Sequence, residues 1–317
     1  METSSANKIV RIIITALFVA VMAGSWDAWW HQAIGRNTFF EPPHILLYSA
    51  VLVAIVSGVY GWVKTSEKLL RRIALLLLVI PLSAPLDNLW HSWFGVEDIS
   101  SPLIVWSPPH LFLIASLIAS FYLLLFFVKR DSDTSAERLL GALGIAAILW
   151  LLSFLAAPVY PTGPYELIGF WGAGILAFIL AATLFAARRH ISGFGSATLM
   201  IAFFLILFSG QLGEEIAPGV IILPHDHPPA WLTVFSFLAP AAFIDMSESV
   251  RAWLRGGIAG ILWSGIIFGF SSQFFEPPFQ YGINDAMFAV VISFAGGAAA
   301  GFLHKFFQNR SLLADNK

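Results

Sequence analysis

The sequence predicts an all-α fold, a polytopic membrane helix bundle of about ten transmembrane helices built from five helical hairpins. Three observations carry that expectation. The composition is 58% hydrophobic and 11% charged, with a mean hydropathy of +0.80, outside the usual range of soluble domains. Apolar runs of about 20 residues, the length that crosses a bilayer, recur along the chain. Every lysine and arginine except Arg36 falls near an end of the chain or in an alternate connection between those runs.

The spans are expected at about 10–31, 44–63, 72–92, 109–128, 139–158, 166–187, 196–216, 229–246, 252–272 and 286–306. The first follows Lys8 and Arg11 and passes small residues, as a signal peptide would. Its apolar segment nevertheless continues through Trp26–Trp30, and its motif returns at the end of the third run, so it reads as an uncleaved span. The second and fourth open on Pro-Pro pairs, whose fixed φ suits the first turn of a helix. Later even-numbered spans follow related corners: PTGP at 161–164, HPP at 227–229 and EPP at 276–278. A hairpin unit of about sixty residues, repeated five times, accounts for this pattern.

The basic residues place both termini in the cytoplasm and the odd-numbered connections outside. Six of the eight histidines lie on that outer side, together with most of the acidic residues. His190 and His304 keep company with Arg188, Arg189 and Lys305 and belong to the cytoplasmic interface. The polar stretch at 129–138 divides a metal-site half, 1–128, from a six-helix membrane scaffold, 139–307, and residues 308–317 are expected to form a mobile cytoplasmic tail. A net charge of −2 implies no nucleic-acid partner, and with no cysteine there is neither a disulfide framework nor a thiolate metal site. The partner that composition does imply is the lipid bilayer.

The chemistry concentrates in two hairpins. In WDAWWHQAIGRNTFFEPPH, Asp27 and His31 stand four apart on one helix face, and His44 opens the next helix. In the second hairpin Asp87, His91 and His110 repeat the arrangement, again with Pro-Pro before the last histidine. One carboxylate and two imidazoles suit copper, iron or zinc, and the ligand types alone do not choose among them. The tryptophans around both motifs, Trp26, Trp29, Trp30, Trp90, Trp93 and Trp106, sit where an interfacial aromatic belt is expected. A weaker cluster, His225 and His227 with Glu214 and Glu215, reads first as a solvated loop and second as a metal-capture or second metal site.

The spacing D-x3-H-x12-H of Asp27, His31 and His44, with its proline corner, resembles the copper-binding motif of the membrane C subunit of particulate methane and ammonia monooxygenases. The resemblance is close over about 20 residues and loose over about 110. It implies copper ligation by Asp27, His31 and His44, with Asp87, His91 and His110 as the counterpart of that subunit's neighbouring site. It also implies oxidation of a small apolar substrate by O2, with electrons from a quinol or an external donor, and either additional subunits or a homo-oligomer.

A different class competes with that reading: a copper or zinc handling protein, serving transport, capture or delivery to an oxidase, without oxygenase activity. Transmembrane cation flux calls for ionisable groups along a path at mid-membrane. The middles of the spans offer only hydroxyls, at Ser57, Ser116, Ser120, Ser153, Thr183 and Ser264. That favours fixed metal sites near the outer surface.

Overall fold

The structure is a computed structural model that describes residues 2–34, 40–95, 107–128, 135–156, 166–190, 195–207, 230–269 and 283–314. Within these helices some side chains, His31 among them, lie outside the described set. All regular structure among the described residues is helical. In chain order the helices are α1 (Glu2–Ala33), α2 (Pro42–Lys64), α3 (Lys68–Val79), α4 (Ser83–Phe94), α5 (Pro108–Phe127), α6 (Ser135–Ala156), α7 (Glu166–His190), α8 (Ser196–Leu207), α9 (Ala230–Met246), α10 (Ala252–Gly269) and α11 (Ile283–Ala314).

Each expected span meets a helix, and one is bent. Between α3 and α4 a 3-10 turn at Ile80–Leu82 carries Pro81, which has no N–H to continue the α-helical ladder. Ser83 closes the turn twice on the Ile80 carbonyl, through its backbone N–H and through its hydroxyl at 2.8 Å. α3 and α4 still read as one span of 27 residues, Lys68–Phe94. α11 continues past Phe307 to Ala314, so helix extends into the segment expected to be a tail.

Among the described residues, seven spans are long and apolar enough to cross a membrane: Ser5–Asp27, Pro42–Lys64, Lys68–Phe94, Pro108–Leu125, Gly172–Arg189, Ala252–Gly269 and Ile283–Phe306. Arg138–Leu152 and Phe235–Met246 are shorter apolar helices. The chain is therefore a helical membrane bundle, which keeps every backbone polar group paired within its own segment across the apolar layer.

The bundle divides into two compact units, residues 1–151 and the described residues from 152 onward. In the first, α1 packs on α2, α2 on α3, and α5 on α1, α3 and α4. Its core is Ile13, Ile14 and Leu17 of α1, Leu70, Ile73 and Leu77 of α3, and Phe121 and Leu124 of α5, all fully buried.

In the second unit α7, α10 and α11 approach through glycines. A methyl group at Gly256 would overlap the Gly297 carbonyl, one at Gly260 the Ser293 carbonyl, and one at Gly296 the Gly174 carbonyl. Between membrane helices, where lipid is as apolar as leucine, such backbone proximity supplies the packing energy. Ser293 adds a hydrogen bond to the Ala173 carbonyl at 3.3 Å.

Candidate metal sites

Both candidate sites are built from the same local parts. A carboxylate lies within the last two turns of one helix, and the next helix begins X-Pro-Pro-His. At the first site X is Glu41, with φ −70° and ψ 150°, and at the second it is Ser107, with φ −62° and ψ 147°. Proline excludes the α region for the residue before it, so X stays extended and the helix starts one residue later. That start brings His44 and His110 into the first turn of α2 and α5, each facing the end of a helix on which its own helix packs.

At the first site His44 Nε2 lies 3.0 Å from Asp27 Oδ1. Glu41 joins them: one ligand atom from each of Asp27, Glu41 and His44 falls within 4.8 Å of the others. Glu41 and His44 are buried, at 4% and 7% exposure. A cation among these atoms would be attracted by both carboxylates at once. His31 follows Asp27 by four residues on α1, with its side chain outside the described set.

At the second site Asp87 stands between two imidazoles. Its Oδ2 is 3.2 Å from His91 Nε2 and its Oδ1 is 3.3 Å from His110 Nε2. The far nitrogens are occupied as well: His91 Nδ1 lies 3.2 Å from the Gly95 carbonyl, and His110 Nδ1 lies 2.9 Å from the Ser107 hydroxyl. Gly95 ends α4 with φ 81°, and its N–H returns to the His91 carbonyl at 3.0 Å. With Nδ1 held by these partners, Nε2 is the ring atom left for a metal, the usual arrangement for a ligating histidine. The Asp87 cluster is the more open of the two, with His110 31% exposed and Asp87 27%.

Asp27 and His44 thus lie together at one hairpin and Asp87, His91 and His110 at the other; among the described residues, the group with three ligand atoms within 4.8 Å is Asp27, Glu41 and His44. His225, His227, Glu214 and Glu215 lie outside the described residues. Glu41 was visible only as part of the EPPH corner, and its place beside Asp27 emerges from the packing of α1 on α2.

The sequence also gave no sign of a buried ionic cluster in the second unit. There Asp245, 3% exposed, accepts hydrogen bonds from the N–H groups of Ala197 and Thr198 and from the Thr198 hydroxyl. Arg188 pairs with Asp245 and Glu248, and Arg255 lies over the Phe185 ring. This cluster joins helix ends and has the character of a structural clasp.

Fold and hydropathy define the class: an integral membrane protein built as a helix bundle. The chain matches no protein-family profile, no curated protein and no solved structure.

Proposed function

We propose that the chain is an integral membrane copper-binding protein similar to the metal-bearing subunit of a copper-dependent monooxygenase that oxidises a small apolar substrate with O2. In this reading Asp27, His31 and His44 hold one metal and Asp87, His91 and His110 a second. Both sites face the outer side, and both termini are cytoplasmic. The supporting observation is the duplicated convergence of carboxylate oxygen and imidazole Nε2 at 3.0, 3.2 and 3.3 Å. Donor atoms bonded at about 2.0–2.2 Å to one metal, at tetrahedral or octahedral angles, are separated by about 2.8–3.6 Å. At the first hairpin the residues present fit such a group as a set; at the second each imidazole stands at that separation from its own oxygen of Asp87, and one metal there would draw the two rings closer together.

Copper held there would supply one-electron and oxygen chemistry. The chain's own residues do the rest. Gly95 and Ser107 hold the rings of His91 and His110 in orientation, Asp87 supplies negative charge, and the partial exposure of this cluster would let O2 or an external donor reach it. On the same helix as Asp87 and His91, Phe94 meets Trp90 in a tilted pair at 4.3 Å and Trp93 edge-on at 6.5 Å, apolar rings that an apolar substrate could use on its approach.

The same openness favours a second reading, copper or zinc capture and delivery to an oxidase without oxygenase activity. Transport across the bilayer is disfavoured. The hydroxyls of Ser116, Ser120, Thr183 and Ser264 donate to carbonyls one turn back in their own helices and lay no ionisable path.

The test is the metal content of the purified protein in lipid nanodiscs after Cu(II) loading, for the wild type and for His44→Ala and His110→Ala. The expected result is one copper lost in each variant. A protein that stays metal-free after loading, or whose copper is indifferent to both substitutions, sinks the proposal. Quinol-dependent oxygen consumption with a small hydrocarbon then separates the oxygenase from the delivery factor.

A further inference from the structure

We infer that the two sites have diverged in metal preference. The first, Asp27, Glu41 and His44, takes a hard divalent cation of the Mn(II) or Fe(II) class, and the second, Asp87, His91 and His110, takes copper. This rests on the metal-binding reading above and refines it.

The divergence turns on one position, the residue before Pro-Pro-His. Glu41 and Ser107 occupy it with the same extended backbone, and the proline pair that follows fixes the turn in both hairpins. Their side chains do different work. Ser107, fully buried, reaches the Nδ1 of His110 at 2.9 Å and so orients a ligand without being one. Glu41, buried as deeply, instead puts a carboxylate oxygen among the converging ligand atoms of Asp27 and His44.

The donor sets then differ in charge and hardness. The first holds two carboxylates and one imidazole, and the second holds one carboxylate and two imidazoles. Even with an imidazole from His31, the first keeps one carboxylate more than the second. Carboxylate oxygens suit Mn(II) and other hard cations, while imidazoles suit copper and stabilise its reduced form better. Cu(II) supplied alone at high concentration fills either set, because it outranks the other first-row divalent ions at almost any nitrogen or oxygen site. The difference therefore emerges under reducing conditions, where copper is Cu(I).

The experiment uses the full chain in nanodiscs, metal-free and anaerobic with a mild reductant. Mn(II) alone is titrated with paramagnetic resonance of the free ion as readout, and Cu(I) alone against a chromophoric chelator. We expect one Mn(II) per chain. Glu41→Ser weakens it by about tenfold or more and leaves Cu(I) affinity unchanged. Asp87→Asn does the reverse, and Ser107→Glu adds a second Mn(II). Elution volume and helical circular dichroism confirm that each variant is folded. Mn(II) affinity indifferent to Glu41→Ser, or lost in Asp87→Asn, overturns the inference. Copper bound at both hairpins with no Mn(II) bound at all also overturns it and leaves the parent reading standing. A chain that binds neither metal sinks both.

Discussion

His91 presents Nε2 to Asp87 Oδ2 at 3.2 Å while its Nδ1 faces the Gly95 carbonyl, also at 3.2 Å. A carbonyl can only accept, so the proton of the neutral ring sits on Nδ1, and the Nε2 lone pair points at a carboxylate. Two electron-rich atoms held together in this way are satisfied by a cation shared between them, either a proton or a metal ion. Gly95, four residues beyond His91, thereby becomes part of the site although it binds nothing.

Gly95→Ala tests that dependence. With φ 81° and ψ 173° the residue occupies a region that is essentially glycine-only, where a Cβ costs about 1–3 kcal/mol. No neighbouring atom would clash with the added methyl, so the cost is conformational. The chain relieves it by turning the Gly95 carbonyl away from His91. Copper affinity at the second site should fall by about tenfold, with the first site untouched. Copper titration of Gly95→Ala beside His44→Ala measures both, and an unchanged second site would falsify the orienting role.

Ser107→Ala probes the same kind of support from the other helix. The substitution removes no donor atom, but it deletes the hydroxyl 2.9 Å from His110 Nδ1. The number of metals per chain should therefore stay as in the wild type while the second site weakens by about tenfold or more. His110→Ala, in contrast, should lower the number itself. Equal behaviour of the two variants would show that Ser107 acts as a ligand or that His110 does not.

Much of this arrangement was legible in the sequence, and the reasons are local. Spans follow from length and hydropathy, because a bilayer leaves a chain few other options. The Pro-Pro-His corners announce helix starts, and D-x3-H places two side chains on one face. What was not legible depends on contacts between elements. Glu41 and Ser107 look like equivalent corner residues until the packing of α1 on α2 brings Asp27 beside Glu41. The bend at Pro81 was hidden because hydropathy is blind to the hydrogen-bond ladder. Asp245 and Arg188 are 57 residues apart, with no periodic pattern linking them, so their pairing appears only when α7 and α9 come together.

Gly260→Val tests the close approach in the second unit. Even a Cβ at this position overlaps the Ser293 carbonyl of α11, and backbone cannot swing aside as a side chain can. Overpacking of this kind typically costs about 1–3 kcal/mol, with more expected here because the obstacle is main chain. The expected result is a lower thermal unfolding midpoint in nanodiscs, with the metal content of the remaining folded protein unchanged. A midpoint equal to that of the wild type would mean that α10 and α11 do not pack through this glycine.

Asp245 offers the sharpest separation of stability from metal binding. Its Oδ2 accepts from the Thr198 N–H at 2.8 Å and the Thr198 hydroxyl at 2.7 Å, and its Oδ1 accepts from the Ala197 N–H at 3.2 Å. A side chain at the end of α9 thus caps the first turn of α8, where N–H groups have no partner within their own helix. Arg188 adds charge, with its Nε 3.7 Å from Asp245 Oδ1, and its Nη1 donates to the Ile244 carbonyl at 2.8 Å. Asp245→Ala removes the cap and leaves Arg188 with Glu248, which is largely exposed, as its remaining carboxylate partner. Losing the cap alone costs about 1 kcal/mol, and breaking a buried ion pair costs about 3–5 kcal/mol. The loss should lie between these limits, because Arg188 keeps its bonds to backbone carbonyls. Asp245→Asn should fall nearer the lower limit, since one amide oxygen can still accept from Thr198. Thermal unfolding of both variants, read against copper content per folded chain, decides the matter. A loss of metal in parallel with stability would give this clasp a role in the sites, whereas stability lost alone makes it purely architectural.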